Sequence, residues 1–225
     1  MSRVIDTLPP ALAVFTPAER RLIARLRTPN LMQRYLNRLP YNSEPRGETL
    51  RSFRQVLRHG KAHCSEAALL AACVLEQHGY PPLLMTFESI DLLDHVIFVY
   101  RARGRWGSVA RSRDPGLHGR KPVFRSPREL ALSYFDPYID PTGCITGYAI
   151  VDLRKFTAYD WRLSPRNMWA LERFLVRTRH QRIKFSRARV RRLRTWYQDY
   201  RAKYGKKPLS YRGRGKWTEI PAEFL

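Results

Sequence analysis

Apolar residues in the first third of the chain recur at helical spacing. In FTPAERRLIARL, Leu22, Ile23 and Leu26 share one face, and Thr16, Pro17 and Glu19 supply an N-cap, a first helical proline and a capping-box carboxylate. The segments TPNLMQRYLNRLP and ETLRSFRQVLRHG repeat the pattern. The second puts Leu50, Phe53, Val56 and Leu57 on one side before Gly60 stops it. The longest helical signal is KAHCSEAALLAACVLEQHG, residues 61–79, where alanine and leucine dominate and Gly79-Tyr80-Pro81-Pro82 ends the run.

After Pro82 the period changes. PPLLMTF has strand length, HVIFVYR is rich in β-branched and aromatic residues, and RWGSVARS follows across a RARG turn, which predicts a hairpin. HVIFVY is apolar at successive positions and therefore reads as a central strand. DPGLHGRKPVF reads as a loop, SPRELALSYF as a short helix started by Ser126-Pro127, and TGCITGYAIVDLR as a closing strand. Helices followed by at least three strands predict an α+β fold in place of alternating crossovers. From about residue 160 two helices of different polarity are expected, and KKPLSYRGRGKWTEIPAEFL has too little patterned apolar surface for a further element. The expected organisation is a domain over residues 1–160 and a basic helical extension and tail over 161–225.

Composition supports a folded chain, with 44% hydrophobic and 12% aromatic residues in 225. Charge adds a partner question. Lys and Arg number 42 against 19 Asp and Glu, a formal net charge of +23, which draws nucleic acid, anionic lipid or an acidic protein. The excess is concentrated, since residues 173–216 hold 17 Lys or Arg and one acid, Asp199. Nucleic acid or an acidic protein is accordingly expected to meet this segment. Three cysteines, at 64, 73 and 144, have neither the number nor the spacing of a disulfide framework or zinc site, and the six histidines show no ligand spacing, so no metal or cofactor is expected. No run reaches the roughly 18 apolar residues of a spanning helix. A cytoplasmic, reducing location is expected.

The cysteine before the alanine-rich helix is the first chemical candidate. A helix beginning at Cys64 aims unpaired N–H groups and its dipole at the sulfur, which favours thiolate and can receive a carbonyl oxyanion. A lone cysteine in such a place is more often a packed apolar residue. Cys73, nine residues on, lies about 180° around the helix and reads as core. A nucleophilic cysteine needs a base, and His95 opens the central strand, where its ring is held at a sheet rim. His63 adjoins Cys64 in sequence and is assigned to shaping the loop or pocket. The acceptor for the second imidazole nitrogen is expected at Asp114, with Asp94, Asp91, Glu88 and Ser112 as rivals. Asp before Pro-Gly is also an ordinary turn residue. Gln55 is a candidate oxyanion donor or a solvated helix residue.

A helix-borne Cys, a His at a strand start and an Asp after the next strand resemble the transglutaminase-like superfamily, a rearranged relative of papain-type cysteine hydrolases. GKAHCSEAALLAACVLEQHGYPPLL is similar to its nucleophile helix and DHVIFVYRARGRWGSVARSRDPG to its His and Asp hairpin, over residues about 45–150. The resemblance implies a core of N-terminal helices on an antiparallel sheet. It also implies Cys64 as nucleophile, His95 as base, Asp114 as orienting acid, and a peptide, amide or thioester substrate. Two departures stand against it: Trp106 to Asp114 is eight residues where about five are usual, and RHGKAHC lacks the aromatic and glycine arrangement of crosslinking members. Amide hydrolysis, amide transfer and a catalytically degenerate binding module all remain open at this point.

Overall fold

The computed structural model describes residues 8–91 and 95–205. Asp94 and the basic residues of 206–216 lie outside the described residues. The helical third forms as expected: α1 (Pro17–Arg25) carries the Thr16/Glu19 capping box, α2 (Pro29–Arg38) is capped by Thr28, and α3 (Phe53–His59) is capped by Ser52 and ended by Gly60 in the left-handed region. α4 (Cys64–Glu76) is buried almost all round from Glu66 onward. A helix apolar on every side belongs inside a fold, and α4 is the axis on which the other helices pack.

Six strands form one antiparallel sheet in the order β4-β3-β2-β1-β5-β6. They are β1 (Leu83–Ser89), β2 (His95–Ala102), β3 (Arg105–Val109), β4 (Arg120–Phe124), β5 (Ile145–Asp152) and β6 (Gln181–Arg182). The hairpin of β2 and β3 is the expected one. One expectation changes: the loop read over DPGLHGRKPVF contains β4, paired to β3, whereas the strand expected in TGCITGYAIVDLR forms as β5, beside β1 with β6 outside it. Arg120 and Pro122 interrupt the strand signal of β4, and an edge position tolerates that proline.

β2 is covered on both faces because helices lie on both. Val96, Phe98 and Tyr100 join a core with α1 to α4 and with α6 (Trp169–Arg177). Ile97 and Val99 join a second core with α5 (Pro127–Tyr138) and with Val190 of α7 (Arg187–Tyr204). The architecture is α+β, with N-terminal helices packed on an antiparallel sheet and helices at the C-terminal end.

The boundary expected at 160/161 does not separate two cores. Trp161, Met168, Leu171 and Leu175 lie at 1%, 0%, 0% and 6% exposure in the same cluster as α3 and α4. The Arg162 guanidinium pairs with the buried Glu76 carboxylate at the end of α4, with Nη2 2.8 Å from Oε2. That carboxylate holds Arg162 firmly protonated against the cost of burial. High charge averaged over residues 173–216 hid a buried apolar spacing just before it.

Candidate active site

Cys64 is the first residue of α4 and is half-buried, whereas Cys73 and Cys144 are buried, all three as free thiols. The start of α4 is fixed by Glu66, a fully buried carboxylate. It accepts hydrogen bonds from the main-chain N–H groups of His63 (3.1 Å) and Arg51 (3.1 Å), from Thr49 Oγ1 (2.8 Å) and from Asn42 Nδ2 (3.1 Å). Four donors converging on one carboxylate hold the loop before α3 against the mouth of α4. Tyr41 pairs with Ala62 just upstream, which places its ring beside the sulfur.

His95 reaches the same sulfur from the rim of β2. Its ring is 3% exposed, stacks on Phe87 at 6.0 Å between centroids and leans on Tyr134 at 6.0 Å. Its Nε2 lies 3.1 Å from the Leu117 main-chain oxygen. A carbonyl only accepts, so this nitrogen carries the hydrogen and Nδ1 is left for the hydrogen bond to the Cys64 side chain.

The acceptor behind His95 is therefore a main-chain carbonyl in the place where the Asp114 carboxylate was expected. Asp114 opens the short turn Pro115–Leu117, and its own carbonyl accepts from the Leu117 N–H at 2.9 Å. The chain turns at Asp114 and presents the Leu117 carbonyl to the imidazole three residues later. Among the rivals, Asp91 accepts from Thr142 Oγ1 (3.1 Å), Glu88 lies 3.2 Å from His180 Nδ1, and Ser112 Oγ accepts from the Asp114 N–H (3.2 Å). Gln55 sits half-buried on α3 with its main-chain N–H bonded to Ser52 Oγ.

The turn is itself clamped. Arg120 is fully buried, and its guanidinium donates to the carbonyls of Gly116 (2.7 Å), His118 (2.6 Å), Gly119 (3.2 Å) and Ser133 (3.3 Å) while lying 3.9 Å over the Tyr134 ring. The carbonyls on either side of Leu117 are thus taken by Arg120, and the Leu117 carbonyl meets His95. His118 is also buried, and desolvation aided by Arg111, Arg120 and His95 pushes its pKa down to about 3.

His63 is a site residue that sequence reasoning set aside. As N-cap of α4 it has extended backbone angles, φ −89° and ψ −175°, and its ring turns back to hydrogen-bond the Cys64 side chain. Its Nε2 donates to the Thr49 main-chain oxygen at 2.8 Å. Burial opposes ionisation of the Cys64 thiol, but hydrogen bonds and charge from His63 and His95 outweigh it and bring the thiol well below its ordinary pKa. Burial instead pushes Cys73 well up and Cys144 up to about 11. Ser65, next to Cys64 in the chain, and Val96, next to His95, line a pocket with Leu50, Leu175 and Val176, so α6 contributes to a pocket neighbouring the two residues. Among the described residues no three His, Cys, Asp or Glu side chains gather as a metal-binding group, and no helix is long and apolar enough to cross a membrane.

A cysteine at a buried helix mouth faces a histidine at the start of a central antiparallel strand. Helices packed on an antiparallel sheet are the fold that the sequence resemblance implied. Among solved structures, calcium-bound Legionella pneumophila LapG is similar at a TM-score of 0.38 and 14% identity over 70% of this chain and 87% of that one. The EGTA-treated form of the same protein gives 0.36 and 13% over 61% and 76%. No family model and no curated protein matches the chain.

Proposed function

We propose that the protein catalyses cysteine-dependent acyl transfer on an amide or thioester, as a hydrolase or an amide transferase. The supporting observation is the contrast among its thiols: the sulfur at the helix mouth is driven toward thiolate while the other two are driven toward the neutral form. In this reading Cys64 attacks the carbonyl carbon, and the oxyanion forms beside the first N–H groups of α4. His95, in its protonated form, gives its proton to the leaving nitrogen or sulfur as that bond breaks. Water or an amine then attacks the thioester, His95 takes its proton, and Cys64 leaves again as thiolate. The Leu117 carbonyl keeps the Nε2 hydrogen in place, so Nδ1 faces the reacting atoms throughout; Asp114 acts through the turn that presents that carbonyl. The substrate is a peptide, amide or thioester, and free thiols at all three cysteines favour a reducing, cytoplasmic setting.

Brief iodoacetamide treatment at pH 6 followed by peptide mapping tests this. Cys64 is expected to carry nearly all the label, and C64A to lower total labelling about a hundredfold or more, since an unperturbed thiol with pKa about 8.5 is largely unreactive there. Labelling of Cys73 at a similar rate, or none at Cys64, leaves a degenerate transglutaminase-like binding module as the better description.

A second reading concerns partners. α7 docks through Val190, Leu193 and Tyr197, with Arg189 on Asp136 (2.7 Å) and Arg194 donating to the carbonyls of Asp140 (3.1 Å) and Thr142 (2.8 Å). Arg187, Arg191, Arg192, Arg201 and Lys203 stay exposed. Such a face supports an anionic partner, nucleic acid or an acidic protein. Replacing Arg187, Arg191 and Arg192 together by Gln is expected to weaken single-stranded RNA binding about tenfold at low salt and to flatten its salt dependence. Absence of RNA binding by the unmodified protein at low salt would leave the acidic protein.

A further inference from the structure

His63 and His95 are anchored in the same manner. Each ring gives its Nε2 hydrogen to a main-chain carbonyl, Thr49 at 2.8 Å and Leu117 at 3.1 Å, and each acts on the Cys64 thiol to lower its pKa. What lies behind the two rings differs. His63 Nε2 is 3.6 Å from Glu66 Oε1 and 3.7 Å from Glu44 Oε1. His95 is backed by the Phe87 and Tyr134 rings, with Arg120 over Tyr134 and with neutral His118 and Arg111 beyond. Carboxylates behind one imidazole and aromatic rings and arginines behind the other make the first the natural seat of a lasting positive charge.

From this geometry we propose that His63 is a second catalytic imidazole, which stays protonated through the whole cycle as counter-charge to the Cys64 thiolate, while His95 alone gives and takes protons. The assignment rests on Cys64 being the nucleophile. Proton balance follows directly: acylation moves one proton from His95 to the leaving group, deacylation returns one from the second acceptor, and His63 keeps its own. The thiolate then keeps one counter-charge while His95 has given its proton away.

The other groups around the sulfur are consistent with this division. Tyr41 is pushed up to about 12, by burial and then by the sulfur's charge, so its hydroxyl is neutral. Arg111 and Arg113 lie over its ring at 5.7 and 6.0 Å and pull its pKa down against burial. Arg51 Nε is 3.8 Å from Glu66, which tempers that carboxylate without removing it. On α6, Glu172 is influenced by Glu48, Glu44 and His63, and its pKa is raised chiefly by burial. Burial opposes charge on His63, but the bonded sulfur, Glu66 and the Thr49 carbonyl together raise its pKa to about 9. Its charge is therefore present across neutral pH and lost only as pH rises through about 9.

The pH profile of Cys64 alkylation by iodoacetamide in the full chain, compared among wild type, H63N, H63Q and H95N, separates the two histidines. H63N and H63Q are expected to move the thiol midpoint up by at least one pH unit, about a tenfold lower rate at pH 6. H95N is expected to raise the midpoint by less than H63N does while losing turnover of a p-nitrophenyl ester. H63Q retains a hydrogen-bond donor without charge, so a shift shared with H63N identifies charge as the cause. A wild-type midpoint in H63Q, or an H95N midpoint raised as far as that of H63N, overturns the assignment. Where the variants do not fold, titration of the wild-type histidine ring protons by NMR gives the same answer: a ring protonated up to about pH 9 supports it, and none above pH 7.5 refutes it. Failure of Cys64 to be the fastest thiol in wild type would instead remove the acyl-transfer reading on which it rests.

Discussion

A chain ended at residue 160 is expected to be unfolded, with no cooperative melting transition. The residues removed include Trp161, Met168, Leu171 and Leu175, all buried against α3 and α4. Burying a large apolar side chain contributes about 1.5–3 kcal/mol, so four together supply roughly 6–12 kcal/mol. The net stability of a domain is only about 5–15 kcal/mol. The truncation also strips Arg162 from Glu76, which is 4% exposed and would be left as a buried unpaired carboxylate, a loss of about 3–5 kcal/mol on its own. The pocket lined by Ser65 and Val96 suffers as well, because Leu175 and Val176 form part of its wall. Circular dichroism and urea titration of the fragment decide the matter. A soluble fragment with a sharp transition would show that residues 161–225 are a separate unit.

An R120M variant is expected to lose about 3–5 kcal/mol, because its apolar side chain removes the guanidinium from the Gly116, Gly119 and Ser133 carbonyls and leaves the His118 carbonyl with the Tyr134 hydroxyl alone. In a chain of this size that corresponds to a drop of about 10 °C in melting temperature. R120K is expected to fall between, since an ammonium cannot spread across the turn as the planar fork does. The consequence for chemistry is specific. With the Gly116 and His118 carbonyls released, the Leu117 carbonyl loses its aim at His95 Nε2 and the ring loses its fixed tautomer. Acylation by a p-nitrophenyl ester is expected to give a normal burst, followed by a steady state about tenfold slower, measured at a temperature where both proteins are folded. An unchanged melting temperature, or a steady state equal to wild type, would show that Arg120 is not the clamp.

The legible parts of this molecule are those whose cause is local. The capping box at Thr16, the Gly60 stop and the apolar run of α4 each state their structure within one turn of chain. Cys64 and His95 could be paired from sequence because a helix start and a strand start are both visible in the pattern. The acceptor behind His95 was not legible, because a main-chain carbonyl has no side-chain signature and any residue at position 117 offers one. His63 was overlooked through an argument from adjacency: neighbours in sequence were taken to point apart, whereas extended N-cap backbone sends the preceding side chain alongside the first turn. Edge strand β4 was missed because Arg120, its first residue, turns its side chain to the loop carbonyls and leaves little alternation to read.

The position of β5 has a consequence for biosynthesis. β5 pairs with β1 some sixty residues upstream, and the helix that closes the first core follows later still, at Trp169–Arg177. A nascent chain that has emerged only through β4 has the cysteine, both histidines and the Leu117 turn, but its sheet ends at β1 and the α4 side lacks Leu171 and Leu175. Contacts this distant in sequence form late and slowly. The growing polypeptide is therefore expected to carry an ordinary thiol until β5 and the helix Trp169–Arg177 have docked.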